Sequence, residues 1–176
     1  MKIGVLSDTH LTQPTGIVET VKHTIRNKRT LEDLRVIVQQ YFHEVELIIH
    51  AGDFVEMAVY ELLQEFAPVE AVRGNMDRID IQHAFPAKKV IERQGFRIGV
   101  THGDGAPQKI LERAKQHFPE PVDAIVFGHS HQPVNEVRDG ILFFNPGSPT
   151  DRIFAPYNSI GILELTDRIC GHLIRL

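Results

Sequence analysis

The sequence holds a single cysteine, Cys170, among its 176 residues. One thiol excludes an internal disulfide and fits a reducing cytoplasm; in the last apolar stretch it reads as a small buried hydrophobe. No run of eighteen apolar residues occurs, which argues against a membrane-spanning helix. Met1 to Leu6 carry one charged side chain and too short an apolar stretch for a signal peptide, so they read as a strand. An excess of positive charge is missing as well. With a formal net charge of −4, stable nucleic-acid binding through phosphate neutralisation is not expected. Repeats, low-complexity stretches and linkers are absent, so residues 1–176 are expected to form one domain.

What is present is an ordinary globular composition, 42% hydrophobic and 24% charged, with ten histidines as the unusual feature. Imidazoles in that number point to metal or acid–base chemistry. Apolar runs predict strands at Ile3–Leu6, Leu47–His50, Val69–Val72 and Ala124–Phe127. Lys88–Ile91 and Arg97–Val100 read as a hairpin turning at Gln94-Gly95. Helical spacing follows Thr30, a candidate N-cap with Asp33 three residues on, and recurs from Glu56 to Phe66 and from Pro107 to Phe118. Residues 11–30 read as a loop with a short helix, and the basic stretch Lys22 to Arg29 as a solvated face. Its sharper alternative is a lid offering cations to a phosphate. After Pro133 come short strands only: Val134–Val137, Ile141–Phe144, Ile160–Leu165 and Ile169–Leu173, with a turn at Asp139-Gly140. Strands alternating with helices, then antiparallel strands, predict an α/β fold of two packed mixed sheets with helices outside.

The chemistry gathers at the strand ends. Asp8 and His10, Asp53, Asn75, His102, and then His129 and His131 each follow an apolar run within a few residues. In α/β sheets that is where ligands bind. Gly128-His129-Ser130-His131 alone reads equally as two exposed loop histidines or as part of a metal site, with Gly128 supplying a positive φ. Four further strand ends carrying such groups favour the metal site. Two carboxylates, four imidazoles and one amide can hold two divalent cations if one carboxylate bridges them. The mixed oxygen and nitrogen set suits transition metals over Ca or Mg. Two such ions would activate a bridging water and clamp the oxygens of a displacement at phosphorus.

Asp8-Thr9-His10, Gly52-Asp53, Gly74-Asn75-Met76-Asp77, Thr101-His102-Gly103 and Gly128-His129-Ser130-His131 resemble the ordered motifs of the calcineurin-like metallophosphoesterase superfamily. The short length, and Asn145-Pro146-Gly147-Ser148, resemble its small YfcE-type phosphodiesterase branch. The resemblance implies a four-layer α/β/β/α sandwich. It assigns Asp8, His10, Asp53 and His131 to one metal and Asp53, Asn75, His102 and His129 to the other, Asp53 bridging. Two divalent transition-metal ions are implied, Mn2+ first, with Fe, Ni, Zn or Co as alternatives. The implied activity is cytoplasmic hydrolysis of a small phosphodiester by a metal-bridging hydroxide, with Asp53, Asn75 and His102 closest to the reaction. A homodimer or higher homo-oligomer is expected on base rates alone.

One position departs from the pattern. Most of the superfamily has histidine after the motif asparagine, and here it is Met76, whose thioether cannot donate a proton. The small branch also lacks that histidine. Asp77, which partners it elsewhere, is left as a structural acceptor. Two rival readings remain at this level: a non-catalytic scaffold of the same fold, as in the retromer subunit that has lost ligand side chains, and a phosphomonoesterase. His50 reads as a core or supporting histidine, and His23, His43, His83, His117 and His172 as surface residues.

Overall fold

A computed structural model describes residues 1–12, 29–151 and 153–176. Most of the loop-and-helix reading for residues 11–30, including His23 and the basic stretch up to Lys28, lies outside the described residues. The elements in order are β1 (Lys2–Leu6), α1 (Leu31–Tyr41), β2 (Leu47–His50), α2 (Met57–Gln64), β3 (Val69–Ala71), α3 (Ile79–Ala84), β4 (Lys88–Arg93), β5 (Phe96–Thr101), α4 (Ile110–Gln116) and β6 (Ala124–Val126). Four strands follow: β7 (Val134–Arg138), β8 (Ile141–Asn145), β9 (Ser159–Leu165) and β10 (Ile169–Arg175).

The strands form two five-stranded sheets, β10-β9-β1-β2-β3 and β4-β5-β6-β8-β7. Both are mixed, as the sequence pattern predicts. In the first, β1, β2 and β3 run parallel, β9 runs antiparallel to β1, and β10 antiparallel to β9; in the second, β5, β6 and β8 run parallel, with β4 and β7 antiparallel at the edges. Alternation along each strand sorts the apolar side chains into layers. Ile3, Val5, Leu47 and Ile49 meet Ile98, Val100, Val126 and Phe144 between the sheets. Leu6 and Ile48 point the other way, against Leu34 and Val38 of α1, Leu63 of α2 and Ile81 of α3. Ile125 and Phe143 turn outward to Ile110, Leu111 and Ala114 of α4. The result is the expected α/β/β/α sandwich.

Local chemistry explains most boundaries. Thr30 Oγ1 accepts from the Asp33 amide and Asp33 Oδ2 accepts from the Thr30 amide, a reciprocal cap that starts α1. Gln94 and Gly95, at φ 52° and 81°, form the two-residue turn of the β4–β5 hairpin, and Asp139 and Gly140 do the same for β7–β8. Two helices depart from expectation. Helix α4 begins at Ile110 rather than near Pro107, because Lys109 at φ 63° interrupts helical geometry. Helix α3 lies inside a stretch expected to be loop; its six residues bury only Ile81, too little for a periodic pattern. Arg73 Nη1 donates to the Gln82 carbonyl and Gln82 Nε2 to the Asp77 carbonyl, tying α3 to the loop after β3.

Cys170 is half-buried rather than buried, because β10 is an edge strand. His43, His83 and His172 are exposed, as expected, whereas His117 is half-buried and lies 3.3 Å from Asp104. No helix among the described residues is long and apolar enough to cross a membrane.

Candidate metal centre

The parallel strands of both sheets end on one side of the molecule, and the loops that follow them carry every predicted ligand. Asp8 and His10 follow β1, Asp53 follows β2, Asn75 follows β3, His102 follows β5, and His129 and His131 follow β6. Five of these seven adopt left-handed backbone: Asp8 at φ 53°, His10 at 44°, Asp53 at 56°, His129 at 67° and His131 at 56°. Such conformations are costly for residues with a Cβ and persist where the surroundings enforce them. Here they swing the side chains off the strand direction into a common space.

Gly128 therefore has a different role from the one its motif suggests. The positive φ belongs to His129 and His131, and Gly128 is needed for close approach. A Cβ there would collide with Ser7 Oγ and lie 2.7 Å from Asp8 Oδ2. The contact lets the His129 amide reach Asp8, donating to Oδ2 at 3.0 Å. Gly74 serves likewise beside Asp53, where a Cβ would strike Asp53 Oδ1.

Two clusters of ligand atoms result: Asp8, His10 and His131, and Asp8, Asp53 and His102. In each, the atoms lie within 4.8 Å of one another. Asp53 Oδ2 is 3.6 Å from His10 Nε2 and 3.2 Å from His102 Nε2, so one carboxylate oxygen faces an imidazole of each cluster. The outer ring nitrogens are already engaged. His102 Nδ1 donates to the Ala51 carbonyl at 2.8 Å and His131 Nδ1 to Asp151 Oδ2 at 2.6 Å. Those bonds fix the tautomers that leave both Nε2 atoms directed inward.

His129 stands beside these clusters, paired with Asn75. His129 Nδ1 lies 3.0 Å from Asn75 Oδ1, and its Nε2 lies 2.9 Å from the Gly105 carbonyl. The His129 ring packs edge-on to His102, with centroids 5.3 Å apart.

The electrostatics suit a cation. Burial disfavours charge on His102, yet Asp53 and Asp8 outweigh it and push its pKa up to about 9. His131 is raised to about 9 in the same way, by Asp8 and Asp151 against burial. Burial dominates at His10 and lowers its pKa. Burial would raise Asp53, but His102 and the Met76 amide hold it below the ordinary carboxylate range.

Whether these residues fit a metal can be tested on their own hydrogen bonding. His102 Nε2 is buried and makes no aligned hydrogen bond, although Asp53 Oδ2 lies 3.2 Å away, which leaves the nitrogen open to a cation. His10 Nε2 and His131 Nε2 face each other at 3.3 Å, and His129 Nδ1 faces Asn75 Oδ1. Each pair shares a single ring proton, which a cation could replace. The donor set fits transition-metal binding.

A family model for the calcineurin-like phosphoesterase superfamily domain matches residues 1–168. The chain belongs to that superfamily. It is 35% identical over 180 residues to a probable metallophosphoesterase of Methanocaldococcus jannaschii, covering 99% of this chain and 81% of that protein. It is also 39% identical over 99 residues to the phosphodiesterase YfcE of Escherichia coli, covering 51% of this chain and 50% of that one. The solved structure of an archaeal phosphodiesterase superposes with a TM-score of 0.70 at 27% identity, with full coverage of both chains. These relatives support the small YfcE-type branch, and membership of the superfamily implies divalent metal ions.

As a metallophosphoesterase, the protein has supporting residues around the candidate ligands, Asp77, Asn145 and Ser148 within its motif blocks and Asp151 outside them. Asp151 orients His131, as above. Asp77 is buried and accepts from the amides of Asp53 at 3.1 Å, Val55 at 2.6 Å and Gly74 at 2.6 Å. Its structural role is therefore larger than that of a leftover partner. Burial raises its pKa although those amides favour the ionised form. Asn145 Nδ2 donates to the Gly128 carbonyl, and Ser148 Oγ donates to the Asp8 carbonyl at 2.7 Å, so the block after β8 braces two ligand loops. His50 is buried behind the site, 3.2 Å from Thr9 Oγ1, and burial lowers its pKa to about 3. It supports the Asp8–His10 loop as a neutral ring. Asp104 pairs with Arg113 at the surface.

Proposed function

We propose that the protein is a two-metal phosphodiesterase. The observation that carries this reading is the pair of adjacent ligand clusters joined by carboxylates, Asp8 common to both and Asp53 Oδ2 facing His10 and His102. Asp8, His10, Asp53 and His131 would hold one cation, and Asp53, Asn75, His102 and His129 the other. When bound, such cations make water nucleophilic at neutral pH and neutralise charge developing at phosphorus. Mn2+ is the first candidate, with Fe, Ni, Zn or Co as alternatives.

The chain's own residues then position the reactants. His102 and His131, locked by Ala51 and Asp151, keep their Nε2 atoms fixed without reorganisation. The Asn75 amide stands at the open side, where it can meet a phosphate oxygen. Arg29 lines the same cavity and adds positive charge for an anionic diester. Overall, water adds to phosphorus, one ester P–O bond breaks, and a phosphomonoester and an alcohol are released. Met76 cannot protonate the departing oxygen, which favours diesters with good leaving groups over monoesters.

The decisive experiment is metal analysis of the purified protein together with a panel of matched mono- and diesters, each metal tried in turn. Diester hydrolysis that disappears in Asp53→Ala and His131→Ala is the expected result. A protein that binds no transition metal at micromolar concentration would instead belong with the non-catalytic scaffolds. Faster turnover of monoesters than of diesters would make it a phosphomonoesterase.

A further inference from the structure

The metal centre forms the floor of a cavity of about 920 Å3. That is far more room than a phosphate group needs, and it falls in the size range of sites that enclose a sizeable organic ligand. His10, Asp53 and His131 lie within it, and Leu11, Met76, Pro107, Ile153 and Phe154 supply an apolar wall. Three of those side chains are conspicuously exposed: Met76 at 59%, Ile153 at 83% and Phe154 at 71%. Only six large apolar side chains among the described residues are so exposed, and these three share one cavity. Single exposed hydrophobes need no explanation, but a cluster beside a polar centre marks a binding surface.

The wall is built into the site. Asp151, whose carboxylate orients His131, also accepts from the amides of Ile153 at 2.9 Å, Phe154 at 3.0 Å and Ala155 at 2.9 Å. One side chain thus sets both a candidate metal ligand and the loop displaying Ile153 and Phe154. The Phe154 ring stands edge-on to His131, with centroids 6.0 Å apart. On the β3 side, the Met76 amide donates to Asp53 Oδ1 at 2.7 Å, which anchors the backbone while the thioether faces the cavity.

We infer that Met76, Ile153 and Phe154 form a subsite for an aromatic ester arm of the substrate. The inference rests on the phosphodiesterase reading and names the class of diester. An occupant of this wall shares its cavity with the cluster of carboxylates and imidazoles, so it must join an anionic phosphate to an apolar group. Thioether and phenyl surfaces both pack favourably on a flat ring. A nucleobase or an aryl group supplies such a ring, and a short alkyl arm does not. Met76 thereby gains a positive role: it binds the organic arm where a histidine would handle protons.

The test varies only the retained arm. Methyl, phenyl and 5′-thymidyl esters of p-nitrophenyl phosphate release the same phenolate, so kcat/KM ratios between them report the arm. The phenyl-to-methyl ratio of the metal-loaded enzyme should fall about 10-fold in Ile153→Ser/Phe154→Ser and several-fold in Met76→Ser. Ile153→Ser alone, at a strongly exposed position, serves if the double variant does not fold. Calorimetry with diphenyl and dimethyl phosphate gives a readout independent of turnover, and wild type should prefer the diphenyl ester where the variants do not. A preference for diphenyl phosphate without hydrolysis of any diester would retain the subsite and remove the phosphodiesterase reading. Hydrolysis with a phenyl-to-methyl ratio untouched by the substitutions would overturn the subsite alone. A thymidyl gain equal to the phenyl gain identifies a nucleobase as the ring, and a gain confined to phenyl identifies an aryl ester.

Discussion

Nδ1 of His131 lies 2.6 Å from Oδ2 of Asp151, while Nε2 of the same ring lies 3.3 Å from Asp8 Oδ1. A carboxylate behind a metal-binding imidazole fixes its orientation and raises its basicity, and losing it typically weakens metal affinity by about 10- to 100-fold. Asp151→Asn should produce a loss in that range, measured by titrating a transition metal into the metal-free protein. The same substitution loosens the 153–155 loop, so proteolytic cleavage there should become faster. Unchanged affinity would mean that His131 is held by packing alone.

Metal affinity should depend steeply on pH. In the metal-free protein, His102 and His131 have pKa values raised to about 9, so both are protonated at neutral pH. A cation must displace those protons. Apparent affinity should therefore rise with pH, by up to ~10-fold per unit for each proton released, and flatten above about 9. Proton release measured in two buffers of different ionisation enthalpy checks the stoichiometry. The stability of the metal-free protein should move the opposite way. A raised folded-state pKa contributes stability that is full below the unfolded value near 6.5 and is lost as pH rises through about 9.

The two sheets and the gathering of the candidate ligands at strand ends were readable in the sequence because apolar runs end in polar residues at five places. Burial of a strand and exposure of its terminus both leave a local trace. Asp77 stands in the Gly74-Asn75-Met76-Asp77 block and was expected as a structural acceptor, but neither its reach to the Asp53 amide nor that of Asp151 to His131 leaves such a trace. The only sequence signal for Asp151 was its position just beyond Asn145-Pro146-Gly147-Ser148. Left-handed backbone at Asp8, His10, Asp53, His129 and His131 was likewise invisible, because tertiary contacts impose it on residues that do not prefer it. Helix α3 was missed because a six-residue helix with one buried side chain has no period to detect.

The glycines separate the two kinds of constraint. Gly128→Ala places a methyl against Ser7 and Asp8 in a site with no space, so it should cost more than the ~1–3 kcal/mol typical of overpacking and should abolish metal binding. Gly95→Ala meets no atom within 4 Å and keeps only the penalty of its φ of 81°, about 1 kcal/mol. Denaturant midpoints should rank the variants in that order, and only Gly95→Ala should retain metal. Equal losses would show that the Gly128 loop can move away from Asp8.

Asp77 is the strongest test of how the centre is held open. Its two oxygens take three amides that no helix or strand satisfies, at Asp53, Val55 and Gly74. Val55 and Asp53 are both left-handed, at φ 73° and 56°, so this carboxylate stabilises backbone that the chain would otherwise avoid. Asp77→Ala leaves the three donors without partners, at about 1–3 kcal/mol each, and should lower stability by at least about 3 kcal/mol. Asp77→Asn keeps one accepting oxygen but turns an amide N–H toward the remaining donors, so it should fall between wild type and alanine. Urea denaturation gives the stability order, and metal titration at a temperature where all three proteins are folded separates stability from site geometry. If alanine binds metal as tightly as wild type there, Asp77 stabilises the fold without shaping the position of Asp53.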